Sequence, residues 1–305
     1  MSDLFGICEI CGRQDWTERY AGPVRDGPFG FSVEGSVVAR CGGCGADRLS
    51  EKSCAPESLY ESDAYRKKLQ QDLGTKAYFA DHDHLQIHTL TALWPRPLHG
   101  LTVADIGCAG GSFLDHVAGL AARVIAIEPS PIYHASLAQR GFEIFPYARD
   151  AAKTCAHGVD LAVSLQVIEH TVNPRIFLEE IRPLISPGGS LLISTPNRND
   201  ILMELLPGEF PAFFYRVVHR WYFDAESLGE CARRAGYTVA EVRHVHRYGL
   251  SNALAWLRDR RPTGTARLPA IEPLADGLWR NYLETTGRSD CLYMLLRPAA
   301  DEGAA

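Results

Sequence analysis

Missing from this 305-residue chain is any apolar run approaching the roughly 18–20 residues that a bilayer-spanning helix requires, so no membrane partner is expected. The opening Met-Ser-Asp-Leu-Phe-Gly has no basic segment followed by an apolar core, and no signal peptide is read from it. A surplus of positive charge is missing too. Lys and Arg number 31 against 37 Asp and Glu, a net charge of −6, which disfavours a general electrostatic grip on nucleic acid. Only a local basic patch remains compatible with that balance. Collagen-like period and heptad repeat are both absent. Hydrophobic residues at 46 % and charged residues at 22 % are ordinary for a soluble globular protein. At about 150 residues per domain, the length predicts two domains or one with appendages.

Cysteine, by contrast, is plentiful. Nine thiols in a chain expected in the reducing cytoplasm are not a disulfide framework. Cys8 and Cys11 form one C-x-x-C pair, Cys41 and Cys44 a second, with 29 residues between the pairs. Each pair offers two thiolates from a tight turn, and two such turns complete a tetrahedral site for Zn²⁺. Gly12, Gly42, Gly43 and Gly45 suit the turns. The alternatives are four unligated thiols in a loop, or a redox pair, which no thioredoxin-like strand supports. With four positions filled, the metal is structural, and its local charge of about −2 makes a poor phosphate grip. Cys54, Cys108, Cys155, Cys231 and Cys291 are isolated and read as buried structural thiols.

From Leu101 onward, short apolar runs alternate with amphipathic stretches, the texture of a doubly wound α/β sheet. Strands are expected at 101–106, 123–127, 143–145, 159–165 and 190–195. Ile176, Phe177, Glu180, Ile181 and Leu184 are assigned to one side of a helix, and Pro187-Gly188-Gly189 to a turn. The first strand runs into Gly107-Cys108-Ala109-Gly110-Gly111-Ser112-Phe113, where Gly107, Ala109 and Gly111 leave room for a ligand beside the backbone. Glu128 ends the second strand, placed to accept hydrogen bonds from both hydroxyls of a ribose. A dinucleotide fingerprint would read G-x-G-x-x-G and set a helix N-terminus against pyrophosphate. Here the spacing is D-x-G-x-A-x-G, and Asp105 would repel a pyrophosphate while suiting a cationic ligand.

That arrangement resembles motif I of class I methyltransferases dependent on S-adenosylmethionine (SAM), whose common form is D-x-G-x-G-x-G. The resemblance extends through Gln166-Val167-Ile168-Glu169-His170, through Leu184 to Asn197 (similar to L-K-P-G-G-x-L-x-I-x-T-P-N), and through His219 to Tyr237. It implies a Rossmann-like sheet with SAM as cofactor. Asp105 and Gly107 would hold the methionine amino group, and Ala109, Gly111 and Phe113 would belong to the loop. Glu128 would bind the ribose, Pro129, Ser130 and Ala148 would flank the adenine, and Gln166 and Val167 would line the methyl-donor side. The cysteine pairs resemble a branch acting on sugars and other small metabolites. The implied layout is a zinc-binding module at 1–56, a helical, cofactor-gating linker at 57–98, and a SAM-binding domain at 99–305 with an aromatic cap at 197–223.

Methyl transfer from a sulfonium is an in-line displacement, and an oxygen or carbon acceptor must also lose a proton. His170, with Glu169 beside it, sits where open α/β sheets bind ligands, and is the first candidate base; helix capping is the plainer alternative. The aromatic cap adds His219 and Tyr222, although a packed core explains such aromatics equally well. Tyr60, Tyr65 and Tyr78 are candidate gates. His246, Arg247 and Asn252 are candidate contacts to the acceptor, expected to be a sugar nucleotide or another phosphorylated metabolite. Two other readings stand beside this one: an RNA methyltransferase gripping its substrate with the zinc module, and a SAM-binding protein without turnover. Residues 1–75 hold 9 Lys and Arg against 12 Asp and Glu, which disfavours the first.

Overall fold

The structure is a computed structural model and describes residues 2–70, 75–264 and 267–300; the expected domain end at 305 lies outside them. Its strands are β1 (Trp16–Arg25), β2 (Ser32–Cys41), β3 (Asp47–Leu49), β4 (Thr102–Ile106), β5 (Arg123–Ile127), β6 (Glu143–Phe145), β7 (Val159–Leu165), β8 (Ile185–Pro196), β9 (Trp221–Tyr222), β10 (Tyr237–Val245) and β11 (Cys291–Pro298). They form a seven-stranded sheet in the order β10-β11-β8-β7-β4-β5-β6 and a four-stranded sheet in the order β1-β2-β3-β9. The larger sheet with its helices is the Rossmann-like α/β fold. β4 pairs in parallel with β5 and β7, β5 with β6, and β7 with β8. Val103, Ala104, Ile125, Ala126, Ala162 and Val163 are fully buried, as the central strands of a parallel sheet require. Among the described residues no helix is long and apolar enough to cross a membrane.

The chain divides into two compact units. One holds the described residues of 56–194, 229–241 and 294–300, with most of the seven-stranded sheet. The other joins residues 1–55 to 195–228 and 242–293. The cysteine-bearing segment is therefore not a free-standing module. Its sheet is completed by β9, which pairs antiparallel with β3 through Asp47↔Tyr222 and Arg48↔Trp221. Ile201, Leu202, Leu206 and Phe210 pack with Ala253, Trp256 and Leu283 in the same unit. Phe210, Tyr215, Trp221 and Tyr222 are buried, so most of the aromatic stretch is core.

Two local expectations change. Ile176 is 44 % exposed; the helix Pro174–Ile181 buries Pro174, Leu178 and Ile181 instead, a spacing of four and three that lies on one face. Its start is set by Pro174 and by Asn173, whose side chain accepts the Ile176 N–H at 3.0 Å. Pro187-Gly188-Gly189 is not a turn before the strand but an irregularity inside β8. There the register against β7 jumps from Val159↔Ile185 to Leu161↔Ser190, and Gly188 takes φ +84°.

Candidate active site

At the carboxyl end of β4 the chain turns through Gly107 (φ +79°), where a Cβ would stand 2.6 Å from Val167 Cγ2. A glycine is needed there on both counts. Ala109 occupies the left-handed region at φ +46°, and Gly111 at φ +80° opens the helix Ser112–Val117. Gly110 lies against the Tyr78 ring, which a Cβ would approach to 2.4 Å, and its carbonyl accepts from Arg140 Nη2 at 2.5 Å. Arg140 also pairs with Asp115 at 2.6 Å, Tyr78 donates to the Cys108 carbonyl at 3.4 Å, and Ser112 donates to Asp83 at 2.7 Å. The loop is thus braced by side chains that come from 78–83 and from the segment after β5. No motif marks these braces in the sequence, and only Tyr78 is anticipated from it.

Two carboxylates face this loop. Asp105 is 3 % exposed, and among the described residues no side chain or amide donates to it. Burial, with Glu128 nearby, pushes its pKa up to about 8. Glu128 is 5 % exposed; Oε2 accepts the Ala109 N–H at 2.8 Å and Oε1 the Ser130 N–H at 2.7 Å, yet burial still pushes it to about 7. Each of its oxygens keeps a second lone pair for a diol. A buried acid without a counter-charge fits a ligand that brings a cation, as the ammonium and sulfonium of SAM do. Gln166 takes φ +58° at the end of β7, and its amide donates to Ser194 Oγ at 3.2 Å. Ala148 is buried at the start of the helix Ala148–Cys155, while Pro129 is half-buried beside Glu128. Phe113 is buried in the first turn of the helix Ser112–Val117.

His170 closes the short turn Ile168–His170 after β7. Its Nδ1 lies 3.0 Å from the Tyr60 hydroxyl, and the Tyr60 and Tyr65 rings stand 5.1 and 5.9 Å from the imidazole. Glu169 is buried beside it. Two of the three expected gating tyrosines, Tyr60 and Tyr65, thus flank the expected base, the first across 110 residues, a pairing that spacing alone does not reveal.

In the other unit the four cysteines converge. Cys8 and Cys44 sulfurs are 3.7 Å apart, Cys11 and Cys41 3.4 Å, and all four lie within 4.8 Å of one another. Tetrahedral zinc with Zn–S bonds near 2.3 Å sets sulfur–sulfur edges of about 3.8 Å, so the donor set fits. Gly12 and Gly45, each following its pair, share φ +76°. Hydrogen bonds from the Cys44 and Cys8 thiols, with the Gly43 amide, hold the Cys41 thiol far below its usual range.

Five candidates from the sequence lie in this unit, and four of them make hydrogen bonds or ion pairs within it. The Tyr222 hydroxyl is buried, accepts from the Arg216 amide at 2.7 Å and donates to the Arg216 carbonyl at 3.1 Å. Burial raises it well above the usual phenol value, so it is a tie and not an acid or base. The Asn252 side-chain amide donates to the Gly264 carbonyl at 2.6 Å. His246 accepts the Asp290 N–H at Nδ1, 3.0 Å away, and Arg247 donates from Nε to Asp290 Oδ2 at 2.6 Å. His219 is buried, its ring 6.0 Å from that of Tyr222.

Comparison with known proteins agrees with this geometry. The family described as "Methyltransferase domain" matches residues 77–242, more than half of the chain. The ubiquinone biosynthesis O-methyltransferase of Methylobacterium sp. (strain 4-46) is 28 % identical over 183 residues, covering 56 % of this chain and 74 % of that protein. Its counterpart from Ruegeria pomeroyi is 30 % identical over 174 residues, covering 53 % and 68 %. Among solved structures, a SAM-dependent methyltransferase from Thermotoga maritima superposes with a TM-score of 0.47 at 19 % identity, over 72 % of this chain and 89 % of that one. With the family model matched over more than half of its length, the chain belongs to the methyltransferase-domain family and is a SAM-dependent methyltransferase.

Proposed function

We propose that the chain transfers the SAM methyl group to a hydroxyl oxygen of a small-molecule acceptor, with His170 as the base. The observation that carries this reading is His170 held at the end of β7 by the Tyr60 hydroxyl, 3.0 Å from Nδ1. Bound SAM supplies a methyl electrophile on sulfur. Asp105 neutralises the ammonium, Glu128 holds the ribose hydroxyls, and Gln166 and Val167 wall the donor side. With Nδ1–H donated to Tyr60, Nε2 takes the acceptor's proton as the oxygen attacks. Both curated relatives are named O-methyltransferases, which favours oxygen over nitrogen or carbon. A sugar or related metabolite is the acceptor class that the paired cysteines favour; the relatives' part in ubiquinone biosynthesis makes phenols the second class to screen.

The four thiolates would hold a structural Zn²⁺ with no open position. The RNA reading loses support, because Arg40, Arg48, Arg198 and Arg220 around the thiolates are spent on Asp47, Glu9, Glu51 and Asp224. The test is His170→Gln, assayed by SAH release against a panel of sugar nucleotides and phenols. Turnover should fall about 100-fold with SAM affinity within about twofold of the parent. Unchanged turnover would remove His170 from the chemistry.

A further inference from the structure

Both cysteine turns are wired to the segment 198–224. The carbonyl of Gly45, directly after Cys44, accepts from Arg198 Nη1. The same guanidinium pairs with Asp47 at 3.1 Å and with Asp224 at 2.5 Å, and Arg198 is 8 % exposed. On the other turn, Glu9 lies between Cys8 and Cys11 and pairs with Arg48 Nη2 at 2.7 Å. Arg48 also donates to the Phe5 carbonyl at 2.8 Å, stands 5.5 Å over the Trp221 ring, and shares Glu51 with Arg220. Between the two lies the β3–β9 ladder, extended by the Leu49 N–H to the Arg220 carbonyl at 2.9 Å.

We infer that the metal centre is the strut of the aromatic segment: metal held by Cys8, Cys11, Cys41 and Cys44 keeps β9 and residues 219–224 folded, and Arg198 is the positioning residue that transmits this. The inference rests on the reading of the four thiolates as a zinc site. The physical ground is reciprocity. A site absent from the unfolded turn gains its binding energy only when the turn is ordered, and whatever orders the turn tightens the metal by the same factor. Arg198 orders the Cys41–Gly45 turn through a carbonyl that no thiolate can satisfy, and its other two side-chain contacts are to Asp47 in β3 and to Asp224, two residues past β9. Losing the metal loosens the turn, frees the buried guanidinium from one partner and unpins the short ladder. The buried rings of Trp221, Tyr222 and Phe223 also hold the segment, so the metal's share is read in the exchange of its backbone amides and not in global unfolding.

The experiment uses the full chain with its metal, quantified by elemental analysis and then removed with a chelator, with hydrogen exchange followed along the sequence. Chelation should speed exchange of amides in 219–224 at least tenfold, with the segment 123–127 unchanged. Arg198→Met should release zinc to a chromophoric chelator at a concentration at least fivefold lower than the parent, and Arg198→Lys should recover part of the difference. Should Arg198→Met fail to fold, Asp224→Asn tests the same link more mildly. Metal present but exchange in 219–224 unmoved on its removal would overturn the inference and leave the zinc reading standing. A chain that carries no zinc and takes up none would overturn both.

Discussion

Asp105 and Glu128, in the unit that carries the glycine turn, are buried with no arginine or lysine against them among the described residues, and burial raises them to about 8 and 7. Asp47, Asp224 and Asp290, in the other unit, are each held by an arginine: Asp47 by Arg40 and Arg198, Asp224 by Arg198, Asp290 by Arg247. Burial would lift Asp224 and Asp290 as well, but Arg198 together with the Ser227 hydrogen bonds, and Arg247 together with His246, outweigh it and hold both below the usual carboxylate range. The same residue type therefore marks two things. A buried acid with its cation built in is part of the frame. A buried acid without one needs another compensation: Asp200, in the same unit as Asp47, is raised to about 7 but accepts the Leu202 N–H at 2.9 Å as a helix cap, whereas Asp105 has no donor among the described residues and is left for a ligand that brings the charge.

The comparison can be broken from either side. Asp47→Asn leaves the buried Arg198 and the half-buried Arg40 each short of a partner and should cost about 3–5 kcal/mol, read as a fall in thermal midpoint, while SAM affinity in the folded protein stays within about twofold. Asp105→Asn should do the reverse: SAM affinity falls about 100-fold by calorimetry, and the ligand-free protein is no less stable, because a penalised buried charge is gone. If Asp105→Asn destabilises the free protein as Asp47→Asn does, the distinction between frame and site collapses.

Much of the site was legible because it depends on local order. The D-x-G-x-A-x-G turn, Glu128 at the end of β5 and the two C-x-x-C pairs are short segments whose spacing sets their geometry. The strands at 123–127, 143–145 and 159–165 follow from runs of apolar residues and appear with those bounds. What was not legible depends on partners far along the chain. Tyr222 and Asn252 look like exposed polar members of a loop until Arg216 and Gly264 are seen to bond them. The joining of residues 1–55 to 195–228 rests on β9, two residues long and too short for any periodicity to announce. Arg140 bracing Gly110 and Tyr60 orienting His170 are likewise pairings that no spacing encodes.

The central claim is that Asp105 lacks a cation until SAM supplies one, and pH reads it directly. Because burial raises both carboxyls, the free protein loses stability as pH climbs from the ordinary carboxylate range to about 7 and 8, where the loss levels off, and a cationic ligand that requires the ionised form must expel the proton. Calorimetric titration of SAM from pH 6 to 8.5, in two buffers of different ionisation enthalpy, is the decisive measurement. Affinity should rise with pH by up to about tenfold per unit and level off near pH 8, with about one proton released per SAM bound at pH 7. Affinity that is flat or falls over that range, with no proton released, would contradict the account.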